Sequence, residues 1–169
     1  MFNSLFKFLN GVQSSPLLPP SSRRWIRRKM GLVVGKRVTI LENCYFGSGK
    51  IDISDDVFIS VGCYFDGSDQ IFLGNHVTIA PQVKIITSTH IVGGSGHRAG
   101  PLYTAGVTVS DGCWLGAGST VMPGVTISKG CIVGAGALVT KSTDPDGLYV
   151  GIPAKRIKDL LTVSPGLPK

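Results

Sequence analysis

From Val109 onward an aliphatic residue returns at every sixth position, through Leu115, Val121, Ile127, Val133 and Val139. Four residues after each of the first five stands a small or β-branched residue: Cys113, Ser119, Val125, Cys131 and Ala137. Gly112, Gly118, Gly124, Gly130 and Gly136 keep the same spacing. A helix repeats near 3.6 residues and a strand at 2, so neither gives a period of six, whereas short strands joined by regular corners do. The recurring glycine suits a corner that needs positive φ. Three such sides close a coil of about 18 residues, and stacked coils pair their strands in parallel at about 4.8 Å per level. The expected fold is all-β, a triangular solenoid.

Upstream the period loosens. Ile53, Ile59 and Phe65 keep it, with Val57 and Cys63 in the second register; Leu73, Ile79 and Ile85 keep it with Val77 and Val83. Between these blocks the spacing slips, which places insertions at corners near residues 47–49 and 66–70. His76, three residues after Leu73, takes the corner position held elsewhere by glycine, a place that histidine tolerates better than most residues. Cys113 and Cys131 are predicted to stack inward as reduced core thiols, since no CxxC pair suggests zinc. The largest break is "TSTHIVGGSGHRAG", residues 87–100, which holds His90 and His97, two of the three histidines. It reads as a loop extruded from one coil.

Glycine, 23 of 169 residues, is close to twice the roughly 7% usual in proteins, and the corners account for the excess. The formal charge of +7 is concentrated in Arg23, Arg24, Arg27, Arg28 and Lys29. So short a patch beside a nearly neutral remainder argues against a nucleic-acid partner. Leu5, Phe6 and Leu9 follow Phe2 at helical spacing, and "RRWIRRKMG" reads as a second short helix. Two readings are open for residues 2–29: peripheral contact with an anionic membrane surface, or a helix pair packed on the solenoid. With no apolar run of roughly 18 or more residues, a cytoplasmic protein is expected. The organisation is an N-terminal helical and linker segment 1–33, a solenoid 34–150, and a C-terminal segment 151–169, where "GIPAKRIKDLL" reads as a turn and a short amphipathic helix ahead of a tail.

The hexad rows, the "THI" loop, "CWLGAGSTVMPGVTI" and the closing "VTKSTDPDGLYVGIPAKRIK" together resemble the hexapeptide-repeat acyltransferases. The branch is that of the maltose and galactoside O-acetyltransferases, over about residues 50–158. The resemblance implies a left-handed parallel β-helix, a hand that no count of sixes reveals because parallel crossovers are ordinarily right-handed. It also implies a homotrimer with intersubunit sites, acetyl-coenzyme A as cosubstrate and no metal. Transfer of an acetyl group to a hydroxyl of a sugar or polysaccharide unit is the implied reaction, with His90 as general base. The backbone amide of Ala117 matches the donor to the thioester oxygen as it turns negative. Trp114, Gly116, Ala117, Gly134 and Ala135 match residues along the coenzyme, and Lys141, Lys155 and Lys158 match basic positions near its phosphates.

Departures bear on the acceptor. Where the sugar acetyltransferases carry "N-F-N" this chain has "SVG", with Ser60 first; Ile91 and Gly106 stand where prolines are usual, and an acidic N-terminal module is lacking. Ser60, His97 and Arg98 are the candidate acceptor contacts. The same fold also hosts N-acetyltransferases of amino-sugar nucleotides or small amines, zinc hydratases, which would need His76, His90 and His97 to converge, and non-catalytic scaffolds.

Overall fold

The computed structural model describes residues 4–160; Phe2 and the tail from residue 161 lie outside them. The hexads form a parallel β-helix with three faces. The first face stacks Val33–Val34, Ile51–Ile53, Ile71–Leu73, Val107–Val109 and Thr126–Ile127. The second stacks Thr39–Ile40, Phe58–Ile59, Thr78–Ile79, Trp114–Leu115, Ile132–Val133 and Gly147–Val150. The third stacks Tyr45–Phe46, Tyr64–Phe65, Lys84–Ile85, Thr120–Val121 and Leu138–Val139.

Most strands have two residues, one facing out and one facing in, because successive side chains alternate across a strand. On the third face Phe46, Phe65, Ile85, Val121 and Val139 fill the interior column. Phe46 and Phe65 stack inside at 5.1 Å while Tyr45 and Tyr64 stack outside at 5.0 Å. The second-register residues fill the space behind each strand. All four cysteines are free and buried, with the Cys113 thiol pushed up to about 11, chiefly by burial. Its Sγ meets the Ser128 carbonyl at 3.1 Å, and Cys131, in the next coil, meets that of Asp144 at 3.1 Å.

Corner geometry explains why the period is strict late and loose early. Gly112, Gly118, Gly124, Gly130 and Gly136 hold φ of 68–78°. In the earlier coils Arg37, Asn43, Asp56, His76 and Gln82 hold φ of 51–60° at equivalent corners, Asn, Asp and His being the non-glycine residues that best tolerate this region. The insertions share one edge. On the third face the residues in register are Tyr45 and Tyr64, 19 apart, then Lys84, a further 20, then Thr120, a further 36, then Leu138, a further 18. The surplus residues leave between the third and first faces each time, as do residues 47–50, 66–70 and 87–105. The longest excursion is ordered: Ser88–Val92 and Ala99–Thr104 pair as an antiparallel hairpin, where the sequence suggested an irregular loop.

The two ends are closed differently. Helices α1 (Ser4–Ser14) and α2 (Pro20–Lys29) pack on the first coil. Asn10 imitates a strand, donating Nδ2 to the Phe46 carbonyl and accepting the Phe46 amide at Oδ1, while Gln13 Nε2 donates to the Cys44 carbonyl. Arg23 and Arg27 of the basic cluster are buried in this cap. Packing on the solenoid is thus the arrangement observed for residues 4–29, and half of the arginines expected to meet a membrane surface face inward, Arg27 donating to Gln13 Oε1. Among the described residues no helix is long and apolar enough to cross a membrane.

At the other end the expected C-terminal helix is a strand, Lys155–Asp159, antiparallel to Gly147–Val150. The chain reverses at Gly151, φ +95°, and covers the last exposed edge of the second face, whose backbone groups would otherwise be open to pairing. Arg156 fastens it, donating to the Asp144 and Pro145 carbonyls and to Asp159 Oδ1. Backbone pairing outweighs the weak helical pattern of a segment so short.

Gly124→Val is expected to lower stability by roughly 1–3 kcal/mol, since a side chain is strained at its φ of +78°, while Gly94→Val, with nothing within 4 Å of a built Cβ, leaves the melting temperature within about a degree; thermal unfolding of both variants decides. In the native protein a thiol-specific reagent should modify none of the four cysteines within minutes, and all four after denaturation.

Candidate active site

His90 lies on the first strand of the hairpin, exposed, opposite Leu102. Its position is set by the base of the hairpin, where Asp66 from the coil below acts as an anchor. Asp66 Oδ2 accepts the Thr87 amide and hydroxyl, both at 3.0 Å, and the Ser88 hydroxyl at 2.7 Å; Oδ1 accepts Ser68 Oγ at 3.1 Å. Partial burial works to raise the Asp66 pKa, but the hydrogen bonds from Ser88, Thr87 and Ser68 together hold it below the usual carboxylate range. The anchor is therefore an anion at neutral pH, and charge-assisted bonds of this kind are the stronger ones.

Beyond the anchor, the pairing shifts register between His90 and Val92. A Cβ at Gly100 would stand 2.6 Å from the Ile91 carbonyl, so glycine is what lets the two strands approach there. The Gly100 carbonyl consequently reaches His90 Nδ1 at 2.7 Å. A carbonyl can only accept, so Nδ1 carries the proton, and in the neutral ring Nε2 keeps the lone pair. His97 and Arg98 are exposed at the tip, where the Arg98 side chain turns back to the Gly93 carbonyl at 3.3 Å.

The other expected residues collect on a different edge. Trp114 faces out from the second face between Thr78 and Ile132, half exposed. Gly116, Ala117 and Gly118 turn the corner from the second to the third face, and Gly134, Ala135 and Gly136 turn the same corner one coil later. Ser60, nearly buried, belongs to this column: amides of Ser60, Ala80, Gly116 and Gly134 each bond the carbonyl one level on, at Ile79, Leu115, Val133 and Tyr149. Ala117 is exposed and its amide finds no acceptor among the described residues. A free backbone donor beside a shallow, small-residue column fits a thioester oxygen and a narrow pantetheine-like arm. The need for glycine at 116 has a source within the fold, because a Cβ there would stand 2.6 Å from the Ala135 amide nitrogen.

Lys155 and Lys158 are exposed on the closing strand at the end of the second face, while Lys141 sits after Val139 on the edge of the hairpin. One chain thus brings Ser60, Trp114, Gly116, Ala117, Gly134 and Ala135 to one region, and His90, His97, Arg98 and Lys141 to another edge, with the third face between. His76 is a corner residue, its Nδ1 3.8 Å from Asp56, and no group of three or more His, Cys, Asp or Glu among the described residues is placed to hold a metal ion. Asp66 and Gly100 were not singled out in the sequence. The slip in spacing at 66–70 was the available signal for Asp66; Gly100 had none, since its partner is ten residues away across a hairpin that sequence left irregular.

A family profile described as bacterial transferase hexapeptide (six repeats) matches residues 106–141. The chain is 32% identical over 147 residues to a galactoside O-acetyltransferase of Lactococcus lactis, an alignment spanning 86% of this chain and 71% of that one. A maltose O-acetyltransferase from Clostridium difficile superposes with a TM-score of 0.84 at 30% identity, covering 92% of this chain and 84% of the other. A galactoside acetyltransferase in complex with coenzyme A gives a TM-score of 0.85 at 25% identity, covering 92% and 78%. These structures share the left-handed course of the helix. The chain is an enzyme fold of known lineage: it belongs to the hexapeptide-repeat acyltransferases, alongside galactoside and maltose O-acetyltransferases.

Proposed function

We propose that this protein transfers an acetyl group from acetyl-coenzyme A to a hydroxyl of a sugar or polysaccharide unit, with His90 as general base. The observation that carries the reading is the His90 Nδ1–H bond to the Gly100 carbonyl, which fixes the tautomer that a base acting through Nε2 requires. Relatives named for galactoside and maltose O-acetylation support the acceptor class.

Bound acetyl-coenzyme A supplies the acyl group as a thioester. His90 Nε2 takes the proton of the acceptor hydroxyl as its oxygen bonds to the acyl carbon. The Ala117 amide donates to the acyl oxygen while that oxygen carries negative charge. His90 then returns the proton to sulfur as the carbon–sulfur bond breaks, and imidazole, amide and backbone end as they began. Trp114 flanks the bound arm, Gly134 and Ala135 leave room for it, and Lys141, Lys155 and Lys158 attract its phosphates. Ser60, His97 and Arg98 contact the acceptor.

His90 and the Ala117 column lie on different edges of one chain, and apposition of two chains, as in a homotrimer, would bring one chain's hairpin to the next chain's column. A cytoplasmic setting accords with four reduced, buried thiols.

His90→Ala should cut kcat at least 100-fold, the lower end of a general-base contribution, with the melting temperature unchanged; equal turnover would remove His90 from the reaction. Mixed oligomers of His90→Ala and Ala135→Trp chains should regain part of the activity that each lacks alone, as measured by release of free coenzyme A with galactoside or maltoside acceptors. No recovery would place the whole site within one chain.

A further inference from the structure

Under α2, at the N-terminal end of the solenoid, Ser21, Arg23, Arg24, Arg27 and Thr39 line a hollow of about 270 Å³ together with four apolar residues. Arg23 is only 6% exposed, yet its Nε and Nη1 have no hydrogen-bond partner among the described residues. The Glu42 carboxylate stands 3.9 Å from Nη1, beyond hydrogen-bond length. Arg24 Nη2 donates to the Gly35 carbonyl, but its buried Nε is also unpaired. Arg27, 3% exposed, gives Nε to Gln13 Oε1 at 2.8 Å. Burial, with the nearby Arg23 charge adding to it, draws the Arg27 pKa down to about 10. Ser21 belongs to the first turn of α2, whose N-cap, Pro19, offers no side-chain acceptor, so the positive end of the helix also borders the hollow.

Guanidinium donors left unpaired under a helix are costly, because a desolvated charge recovers its hydration only through a partner. Three guanidinium groups against one distant carboxylate leave a local surplus of positive charge. We propose that this hollow is a binding site for a phosphate group, held by the guanidinium groups of Arg23 and Arg24 and the Ser21 hydroxyl. Phosphate offers three or more acceptor oxygens in a tetrahedral array and can bridge two guanidinium groups and a hydroxyl at once. The volume, below the roughly 300–1,000 Å³ of sites that enclose a drug-sized ligand, suits a small anion or a headgroup. A free phosphate and a phospholipid headgroup share this chemistry, and Trp25, 61% exposed on the same helix, would face the acyl region in the second case.

Calorimetric titration of the full chain with inorganic phosphate, against chloride at equal ionic strength, tests the first source; co-sedimentation with phosphatidylglycerol against phosphatidylcholine vesicles tests the second. Saturable phosphate binding at one site per chain, weakened about tenfold or more by Arg24→Gln and unchanged by Lys141→Gln, establishes a free-phosphate site. Binding to phosphatidylglycerol alone, lost in Arg24→Gln, assigns the site to a headgroup. Ser21→Ala, which leaves the Arg24–Gly35 bond in place, should weaken either binding severalfold, so a folding defect in Arg24→Gln does not stall the test. Binding in neither arm, or binding that Arg24→Gln and Ser21→Ala leave intact, overturns the proposal.

Discussion

Parallel hydrogen bonds between coils hold each strand residue directly over its counterpart one level below, and the architecture depends on them. The Thr78 amide reaches the Cys113 carbonyl and the Trp114 amide reaches that of Cys131, both at 2.9 Å. In a strand of two residues a slip of one would turn the interior side chain outward and the exterior one into the core. Length added to a coil must therefore leave at a corner. In this chain it leaves at a single edge, by one residue, then two, then a whole hairpin, so the position of His90 on that hairpin rests on the same register that buries Phe65 and Ile85.

The register also creates two open ends, and the chain closes them with different groups. At the C-terminal end backbone meets backbone, through the returning strand Lys155–Asp159. At the N-terminal end the side-chain amides of Asn10 and Gln13 stand in for a strand, and arginines follow them into the cap. Using charged donors to satisfy carbonyls brings more cations under the helix than the carbonyls can pair. That surplus, rather than any motif, is what sets the hollow beside Arg23 apart from the rest of the surface.

In the proposed reaction the chemistry is divided between edges because the two requirements differ. An acyl oxygen needs a fixed donor, and a solenoid corner supplies one at Ala117, where the backbone turns and the amide is not taken by the next coil. A base needs an outward lone pair held in one orientation. A corner histidine such as His76 is occupied by the turn, whereas a hairpin strand lets the Gly100 carbonyl hold one nitrogen of His90 and leave the other free. Asp66 joins the two systems, since it sits in the stack and grips the root of the hairpin.

Much of this was legible in the sequence. The period of six gave the coil, the glycine column gave the corners, and slips at residues 47–49 and 66–70 marked the edge where the hairpin emerges. His90 and Ala117 stand out as candidates because the family motifs they resemble are contiguous. Contacts between distant residues were not legible: Asp66 with Ser88, Gly100 with His90 across a bulge, and Arg23 buried while Arg28 in the same helix is exposed. The C-terminal segment has a local helical pattern yet forms a strand, because its partner, the open edge of the second face, exists only once the coils are stacked. Local periodicity determines which side chains face inward, since that depends on neighbours a few residues away. Which polar groups find partners, and which remain unpaired, was decided by the tertiary structure, because hydrogen bonding between coils and caps depends on positions that only stacking brings within 3 Å or so of each other.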